Sequence, residues 1–596
     1  MISVNEKLAA LRRKMKENGV QACIIPSSDP HMSEYLPEHW QARSYFSGFD
    51  GSAGTLVVTE KESGLWTDGR YFIQAAHQLD GSEIELYRMA VKGVPTYTEF
   101  LADKLNQGET VGFDGKMLSV SSVKEMEEKF QEKKLKIKSV DLICDIWPDR
   151  PAIPASEVFI HDVKYAGYTC KEKIEQVRSE LKKQKADGEI IARLDCVAWL
   201  MNIRADDIEY NPLAVSYAAV YMDSAYLFIN TKRVPAEVLA YLKENGVTVQ
   251  EYEEIDAVLK NINTKKTILI DPAGFNYELY RILKQNPNVT IKEGEDTVTG
   301  LKGVKNETEI KNIIEAHIKD GCAMVEFRVK LDEMLKNGEK VTECTVCDML
   351  KECRAKQPNN KGESFSTIAA YKGNAAMMHY SPKPDTCSTI QTEGFLLVDS
   401  GGQYLEGTTD ITRTFVMGPL TQKEKEHYTY VLKAHIALAS AVFLEGCTGG
   451  NVDILSREQV WKHGIDYRCG TGHGVGMFGG VHEGPQNLRI SSNVVLKKGM
   501  TVTNEPGIYE EGKHGIRTEN IMLVVEDRNT EYGQFYRFDI ITYFPIDTAG
   551  IVMDLMSDED IAWLNNYHKL VYEKLSPRLS GKALAWLKEH TTPISR

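Results

Sequence analysis

Two aspartates in the last third of the chain occupy positions that suggest metal chemistry. In FLLVDSGGQYLEGTTDITRTFVMG, Asp399 closes one apolar run and Asp410 sits in a second. The intervening GG and EG pairs are typical of turns, so the two runs can pair as a hairpin and bring both aspartates to one place. The pattern alone also allows Asp399 and Asp410 to be turn caps.

The same construction recurs further along the chain. In GMTVTNEPGIYEEGKHGIRTENIMLVVED, Glu505 ends one strand-like run and Glu519 begins or lies within another. Glutamate is unfavourable in strands by intrinsic propensity, so its presence at both positions needs a reason. Between the two hairpins lies CGTGHGVGMFGGVHEGP, where His473 and His482 sit in a glycine-rich frame that lets the backbone approach a ligand closely.

Convergence of these four carboxylates and one imidazole would require cations. Without metal, like charges within a few ångströms repel, and some take up protons near neutral pH. Two divalent ions would balance the four carboxylates. Such an oxygen-rich set with one histidine suits Mn²⁺, Co²⁺, Fe²⁺ or Zn²⁺ and favours Mn²⁺. A pair of these ions can generate a bridging hydroxide for hydrolysis.

Helix and turn signals divide the chain into three regions. A capping box at Ser3 starts an opening helix, and the prolines of WPDRPAIP indicate a linker. Asn306 is expected to cap a long helix, and Ser557 a last one. The resulting domains are 1–153, 154–305 and 306–596.

The first two regions share a weak internal repeat. Residues 43–70 and 197–230 both run from an aromatic-rich helical end through a polar turn into two apolar strands. The repeat predicts two related α/β domains.

Composition excludes several classes of protein. The chain has 596 residues, a net charge of −14 and no basic stripe, which argues against nucleic acid as a partner. Its 11 scattered cysteines suit a reducing compartment rather than a disulfide framework. No secretory signal or membrane span is legible, so we expect a cytoplasmic protein that does not contact a membrane.

Three other motifs favour structural interpretations. GVGMFGGV, from Gly474, matches a dinucleotide fingerprint, but HEGPQ follows it instead of a helix. Cys344 and Cys347 form a C-x-x-C without a second pair, in a segment expected to be helical, so we interpret it as structural. His317 lies on the apolar side of its helix and is expected to be a core histidine.

The site motifs together resemble a known family. VDSGGQYLEGTTDITRTF, GTGHGVG, VHEGP, NEPGIY and GIRTEN are similar to those of the pita-bread metallopeptidases, and most of all to the aminopeptidase P family in its long three-domain cytosolic form. WLMNIR, EYNPL, FSGFDGSAGTLVV and WTDGRYF extend the resemblance over nearly the whole chain. It implies an α/β and α+β fold, in which two creatinase-like N-terminal domains precede a pita-bread catalytic domain with a C-terminal extension.

The resemblance also implies a ligand set. Asp410 and Glu519 would bridge two metal ions, Asp399 would complete one site, and His473 with Glu505 would complete the other. Glu505 would in addition act as general base.

Further residues match substrate positions of the family. His379 and His482 match substrate-site histidines that could stabilise an oxyanion and pass a proton to the leaving nitrogen. Arg70 matches a substrate-contacting arginine. Arg517 would support the bridging carboxylates or the substrate, and a structural salt bridge is an equal alternative. Cys469 stands where many relatives have histidine, and a thiol could not replace that imidazole as a proton carrier.

The implied activity is release of the N-terminal residue from peptides with proline second, by a homodimeric enzyme. A prolidase restricted to Xaa-Pro dipeptides is the nearest alternative. Methionine aminopeptidase fits less well because it needs no two preceding domains. A non-catalytic pita-bread binding module fits less well because all five ligands are present.

Overall fold

The computed structural model describes residues 2–596, which form two compact units. One unit runs through Asp162 and includes Tyr168–Gly300, and the other contains Val163–Gly167 and Leu301–Arg596. Within residues 2–596, every helix falls short of the length and apolarity that a membrane crossing requires.

The first unit begins with a six-stranded sheet in the order β4-β3-β2-β1-β5-β6. Helix α1 starts at the predicted capping box, in which Ser3 and Glu6 cap each other's backbone, and it buries Leu8, Leu11 and Met15. The strands are β1 Ala22–Pro26, β2 Thr55–Thr59, β3 Ser63–Thr67, β4 Ile84–Arg88, β5 Thr110–Phe113 and β6 Lys136–Ser139. The helices are α1 Val4–Glu17, α2 Ala42–Ser47, α3 Phe72–Gln78, α4 Tyr97–Lys104 and α5 Val120–Gln131.

A second six-stranded sheet follows in the order β12-β11-β10-β8-β13-β14. Its strands, with the short pair β7 and β9, are β7 Phe159–Ile160, β8 Gly188–Ile191, β9 Ile203–Arg204, β10 Ser216–Tyr221, β11 Ala225–Ile229, β12 Val247–Gln250, β13 Lys266–Ile270 and β14 Val289–Glu293. The helices are α6 Val163–Ala166, which belongs to the second unit, then α7 Cys170–Gln184, α8 Leu194–Met201, α9 Ala236–Glu244, α10 Glu254–Lys260, α11 Tyr277–Gln285 and α12 Thr297–Gly303.

The two sheets have the same topology. In each, the first strand pairs antiparallel with the second and parallel with the fifth, and the remaining neighbours match in direction. The repeated sequence segments contribute β2 and β3 to one sheet and β10 and β11 to the other. The predicted pair of related α/β domains is therefore confirmed.

The second unit is built on long capped helices around several small sheets. Its helices are α13 Glu307–Lys336, α14 Glu343–Ala355, α15 Gln422–Ala439, α16 Gly449–Trp461, α17 Asp558–Leu575 and α18 Gly581–His590. Its strands are β15 Asn360–Glu363, β16 Ile368–Tyr371, β17 Phe395–Ser400, β18 Gly402–Tyr404, β19 Gly407–Thr408, β20 Ile411–Val416, β21 Val442–Leu444, β22 Gly472–His473, β23 Asn487–Leu488, β24 Thr501–Asn504, β25 Gly507–Glu510, β26 His514–Arg517, β27 Asn520–Thr530 and β28 Gly533–Ile540. Short 3₁₀ turns lie at Glu38–Trp40, Thr231–Arg233, Lys372–Ala376, Met553–Leu555 and Ser576–Arg578.

Both predicted capping signals of this unit are confirmed. Asn306 caps α13 and Ser557 caps α17, each with an acidic partner three residues later. Helix α17 packs into the same core as α13, with Leu564 and Leu575 fully buried. His317 is buried in α13 as expected, and GVGMFGGV is not followed by a helix.

Three of the four carboxylates lie one residue outside a strand, whereas the sequence pattern placed them within or at the ends of strand-like runs. Asp410 precedes β20, Glu505 follows β24, and Glu519 lies in the short connection between β26 and β27. Outside the ladder a residue is released from the strict alternation of faces, so these side chains can turn toward one another. Asp399 lies inside β17, opposite Thr412 of β20, and is therefore no turn cap.

Candidate metal centre

Three of the predicted ligands form a compact cluster. Asp410, His473 and Glu519 each offer one ligand atom, and these atoms lie within 4.8 Å of one another. His473 Nε2 lies 3.4 Å from Asp410 Oδ2 and 3.2 Å from Glu505 Oε1. The fold thus brings a carboxylate from each hairpin to the same imidazole.

Asp399 joins this group through an arginine. Arg517 Nη2 donates to Asp399 Oδ2 at 2.6 Å, and both side chains are buried. The other carboxylate oxygen, Asp399 Oδ1, is buried and has no hydrogen-bond partner among the described residues. A buried carboxylate oxygen without a donor is costly unless something positive occupies the adjacent space.

Hydroxyl groups orient the two glutamates. Thr412 Oγ1 donates to Glu519 Oε2 at 2.7 Å and itself accepts from Arg517 Nε at 3.1 Å. On the other side, Thr503 Oγ1 donates to Glu505 Oε1 at 3.0 Å. Each hairpin therefore supplies a threonine that fixes a carboxylate.

The imidazole of His473 is also fixed in orientation. Its Nδ1 lies 3.0 Å from the carbonyl oxygen of Gly474, which suits a proton on Nδ1 and leaves Nε2 facing the carboxylates. A hydrogen bond from the second ring nitrogen to a backbone carbonyl is the usual way that a metal-binding histidine is held.

The pKa shifts of these side chains show that the cluster has more negative charge than its own positive groups balance. Burial raises the pKa of Asp399 to about 6, and Arg517 opposes the shift. Burial and the neighbouring carboxylates raise the pKa of Glu519 well above its ordinary value. Although burial opposes it, hydrogen bonding to Asp410 and Glu505 raises the pKa of His473. Without further cations, the site would hold protons that a metal would displace.

Glu505 behaves differently from the other carboxylates. Burial raises its pKa, but the hydrogen bond to His473 and the charges of His473, Arg517 and His482 outweigh burial and lower it to about 2. The Glu505 side chain is also about one-fifth exposed. Glu505 is therefore an ionised carboxylate with access to solvent.

The donor set fits divalent cations. It consists of four carboxylates and one imidazole whose Nε2 faces them, and one carboxylate oxygen, Asp399 Oδ1, is buried without a donor. Oxygen ligands with one nitrogen suit Mn²⁺ and similar ions.

Comparison with known proteins identifies the family. The metallopeptidase family M24 matches residues 311–526, and the C-terminal region of that family matches 534–594. The creatinase/prolidase N-terminal domain matches twice, at 7–145 and 149–309. Aminopeptidase P2 of Arabidopsis thaliana is 38% identical over 100% of this chain and 89% of its own length. The chain belongs to the aminopeptidase P family.

Solved structures agree with this assignment. The X-prolyl aminopeptidase of Caenorhabditis elegans, described as a cytosolic enzyme with a di-nuclear active site, superposes with a TM-score of 0.95 at 33% identity and 100% coverage of both chains. A prolidase from Pyrococcus horikoshii has a TM-score of 0.50 at 25% identity and covers 63% of this chain. The Caenorhabditis elegans protein is therefore similar to this chain over the complete architecture, including both N-terminal domains.

The two histidines that resemble substrate residues of aminopeptidase P lie in different settings. The rings of His482 and His473 are 4.3 Å apart in an edge-to-face arrangement. His379 follows the 3₁₀ turn Lys372–Ala376 in a half-buried loop. Its neighbour Met378 offers its carbonyl oxygen to Arg517 Nη2 at 3.5 Å, which ties the His379 loop to the candidate metal centre.

Arg70 lies in the first unit. Its guanidinium donates twice to Asp68, with Nε and Nη2 both 2.8 Å from the carboxylate oxygens. The match of Arg70 to a substrate residue of aminopeptidase P stays a prediction.

Cys469 departs from the pattern of many aminopeptidase P members. It is half-buried, and burial raises the pKa of its thiol to about 12. Its carbonyl oxygen accepts from Arg457 Nη2 at 2.8 Å. A thiol that stays protonated at neutral pH does not exchange protons readily, which agrees with the expectation that Cys469 takes no part in proton transfer.

Several supporting residues were missed by sequence reasoning. Thr412 and Thr503 each lie two residues from a ligand, a spacing that could have indicated them. Tyr509, in NEPGIY, accepts from Arg517 Nη1 at 2.6 Å. The carboxylate of Glu483, beside His482, forms ion pairs with the buried side chains of Lys302 and Lys305, whose Nζ atoms lie 3.3 and 3.1 Å from Oε1. No local signal in the sequence predicts partners that are so distant along the chain.

Proposed function

We propose that this protein is a di-metal aminopeptidase that releases the N-terminal residue from peptides with proline at the second position. The observation that carries the proposal is the convergence of Asp410, His473 and Glu519, with Asp399 and Glu505 adjoining them. The full-length similarity to aminopeptidase P supports the same reaction class.

Each ligand has a proposed role in holding two divalent ions. Asp410 and Glu519 would contact both ions, Asp399 would complete one site, and His473 with Glu505 would complete the other. Two such ions would polarise the scissile carbonyl and lower the pKa of a water molecule. We propose Mn²⁺ for both, because carboxylate oxygens dominate the donor set.

The chain's own residues would supply proton transfer and positioning. Glu505 is the proposed general base, since its carboxylate lies in the metal cluster beside His473 and reaches solvent. His482 and His379 would stabilise negative charge on the substrate and hand a proton to the leaving nitrogen. Arg517 would keep Asp399 ionised and oriented through their ion pair. Arg70 is a proposed substrate contact.

Proline at the second position makes a tertiary amide without an N–H group. A site that needs no donor from that nitrogen can accept it. The relative from Caenorhabditis elegans is named an X-prolyl aminopeptidase, which supports this substrate class.

We also propose a cytoplasmic, homodimeric enzyme without nucleic-acid or membrane partners. All 11 cysteines are free thiols, which suits a reducing compartment. Exposed apolar side chains such as Val442, Leu444 and Ile490 offer surface for a second copy.

The test offers the purified protein Xaa-Pro-Xaa tripeptides and Xaa-Pro dipeptides. Release of the first residue from tripeptides, lost with a chelator and restored with Mn²⁺, is expected. Turnover of dipeptides alone would instead assign a prolidase, and activity that resists chelation would refute the metal site.

A further inference from the structure

A pair of thiols lies beside the loop that carries His379. Cys344 is near the start of helix α14, and Cys387 lies in the segment that returns from His379. Both side chains are half-buried, and the two thiols are hydrogen-bonded to each other.

The backbone around these cysteines runs in antiparallel register. Thr342 and Thr389 form an isolated β-bridge, and Glu343 N–H donates to the carbonyl oxygen of Ser388 at 3.1 Å. Cys344 follows Thr342 by two residues, in the first turn of α14, and Cys387 precedes Thr389 by two residues, so both cysteines lie next to this bridge. The bridge, the Glu343–Ser388 hydrogen bond and the hydrogen bond between the thiols hold the two cysteines side by side, as a disulfide requires.

Glu343 fastens the same loop without covalent bonds. Its buried carboxylate accepts from the N–H groups of Tyr371 and Ser388 at 2.6 and 2.7 Å, and from the Tyr380 hydroxyl at 2.8 Å. Asn374 Nδ2 donates to both of its oxygens at 3.0 and 3.1 Å. The loop from Asn374 to Ser388 is therefore held at the start of α14 in the reduced protein.

Cys387 is the more reactive of the two thiols. Hydrogen bonds from Cys344 and Thr342 at the helix N-terminus lower the pKa of Cys387, whereas burial raises the pKa of Cys344 to about 11. A thiolate near a helix N-terminus is the nucleophilic form of cysteine.

Cys347, the second cysteine of the C-x-x-C motif, has a different environment. Its thiol points to the carbonyl oxygen of Thr367 at 3.5 Å, and burial raises its pKa to about 12. Cys387 is thus the better partner for Cys344, although Cys347 is nearer in sequence.

We propose that Cys344 and Cys387 are the site of a reversible disulfide that fastens the His379 loop covalently to helix α14. The oxidant is a low-molecular-weight disulfide. The Cys387 thiolate attacks one of its sulfurs and displaces a small thiolate, and Cys344 then attacks the Cys387 sulfur and displaces the second small thiolate. The protein loses two electrons and two protons, and the small disulfide becomes two thiols.

The test equilibrates full-length, metal-loaded protein in glutathione buffers of increasing oxidation, alkylates the remaining thiols and maps linked peptides by mass spectrometry. A Cys344–Cys387 link that dithiothreitol reverses is expected. It should persist in Cys347→Ser and vanish in Cys387→Ser. A Cys344–Cys347 link in the wild-type protein, or only mixed disulfides with glutathione, would overturn the site.

A second measurement tests the fastening. Hydrogen exchange of residues 377–386 should slow by at least about tenfold on oxidation of the wild-type protein, because local opening becomes more costly. Cys387→Ser should show no such change under the same buffers. Unchanged exchange in the oxidised wild-type protein would refute the fastening, and neither measurement depends on the proposed peptidase activity.

Discussion

Strands β17 and β20 and strands β24 and β27 each form an antiparallel pair, and each pair brings two carboxylates to the candidate metal centre. The first pair uses the short side chains of Asp399 and Asp410, and the second uses the longer Glu505 and Glu519. In the first pair Asp399 is matched by a buried guanidinium from Arg517. In the second, Glu505 is matched by the imidazole of His473 and reaches solvent.

This difference separates two tasks within one centre. A permanently charged arginine can hold Asp399 in place but cannot exchange a proton at neutral pH. A partly exposed carboxylate can take part in proton transfer. We therefore infer that the aspartate pair mainly holds metal, whereas in the glutamate pair Glu519 holds metal and Glu505 holds metal and also moves protons.

The largest expected effect on activity comes from Asp410 and Glu519, the two carboxylates proposed to contact both ions. Asp410→Asn and Glu519→Gln should each lower kcat/KM by about a thousandfold or more, equivalent to about 4 kcal/mol, because both ions lose a ligand. Bound metal, measured by elemental analysis, should fall in parallel. Glu406→Gln, which removes a buried carboxylate that lies in the connection between β18 and β19 and pairs with Lys319, should keep both ions.

Two metals per chain in either of the shared-ligand variants would show that the proposed bridging roles are wrong. The Glu406 control guards against a general loss of fold, which circular dichroism would also report.

The next effect distinguishes the two strand pairs, β17 with β20 and β24 with β27. Asp399→Asn and Glu505→Gln should each lower the metal content toward one ion per chain. Glu505→Gln should lose more activity, by about a further hundredfold, since general-base catalysis commonly contributes that much. Metal content and the pH profile of kcat should be compared for both. Equal activity losses with unchanged pH profiles would contradict the division of tasks.

Smaller effects are expected from the orienting threonines. Thr412→Val and Thr503→Val each remove one hydrogen bond to a glutamate, and we expect a loss of about 10- to 100-fold in metal affinity, which is typical of such supporting groups. Thr→Ser at the same positions should restore affinity, because the hydroxyl returns. If valine and serine variants bind Mn²⁺ equally, the threonines do not orient the ligands.

The smallest effect concerns the stability of metal-free protein. The pKa of Asp399 is raised to about 6 in the fold, above the ordinary value of a carboxyl, so the folded state favours the protonated form. Its stabilising contribution is therefore present below the ordinary pKa and is lost as pH rises through about 6. The melting temperature of metal-free protein should fall over that range, and Asp399→Asn should flatten the fall. An equally steep fall of the melting temperature in the Asp399→Asn variant would show that other titratable groups cause the pH dependence.

Much of the fold could be predicted from local sequence signals. The caps at Ser3, Asn306 and Ser557 depend on residues three positions apart, and each is confirmed. The repeat between the first two domains appeared in the pattern of two apolar strands after a polar turn. These features are local, so the sequence displays them directly.

The supporting contacts could not be predicted in the same way. Arg517 reaches Asp399, and Lys302 and Lys305 reach Glu483, across long separations in sequence. Such pairings depend on how strands from distant segments are registered, which neither propensity nor spacing encodes. For the same reason Cys344 and Cys387 showed no sign of being neighbours, and the C-x-x-C motif drew attention to Cys347 instead.

Five side chains are proposed to hold the two divalent ions that peptide hydrolysis requires. Metal-stripped protein should be titrated with Mn²⁺ while two quantities are measured in parallel. Native mass spectrometry gives the number of bound ions, and release of the first residue from an Xaa-Pro-Xaa tripeptide gives the activity. We predict that both signals reach their plateau at two ions per chain. A plateau of activity with no ion bound, or binding that stops at one ion, would contradict the account.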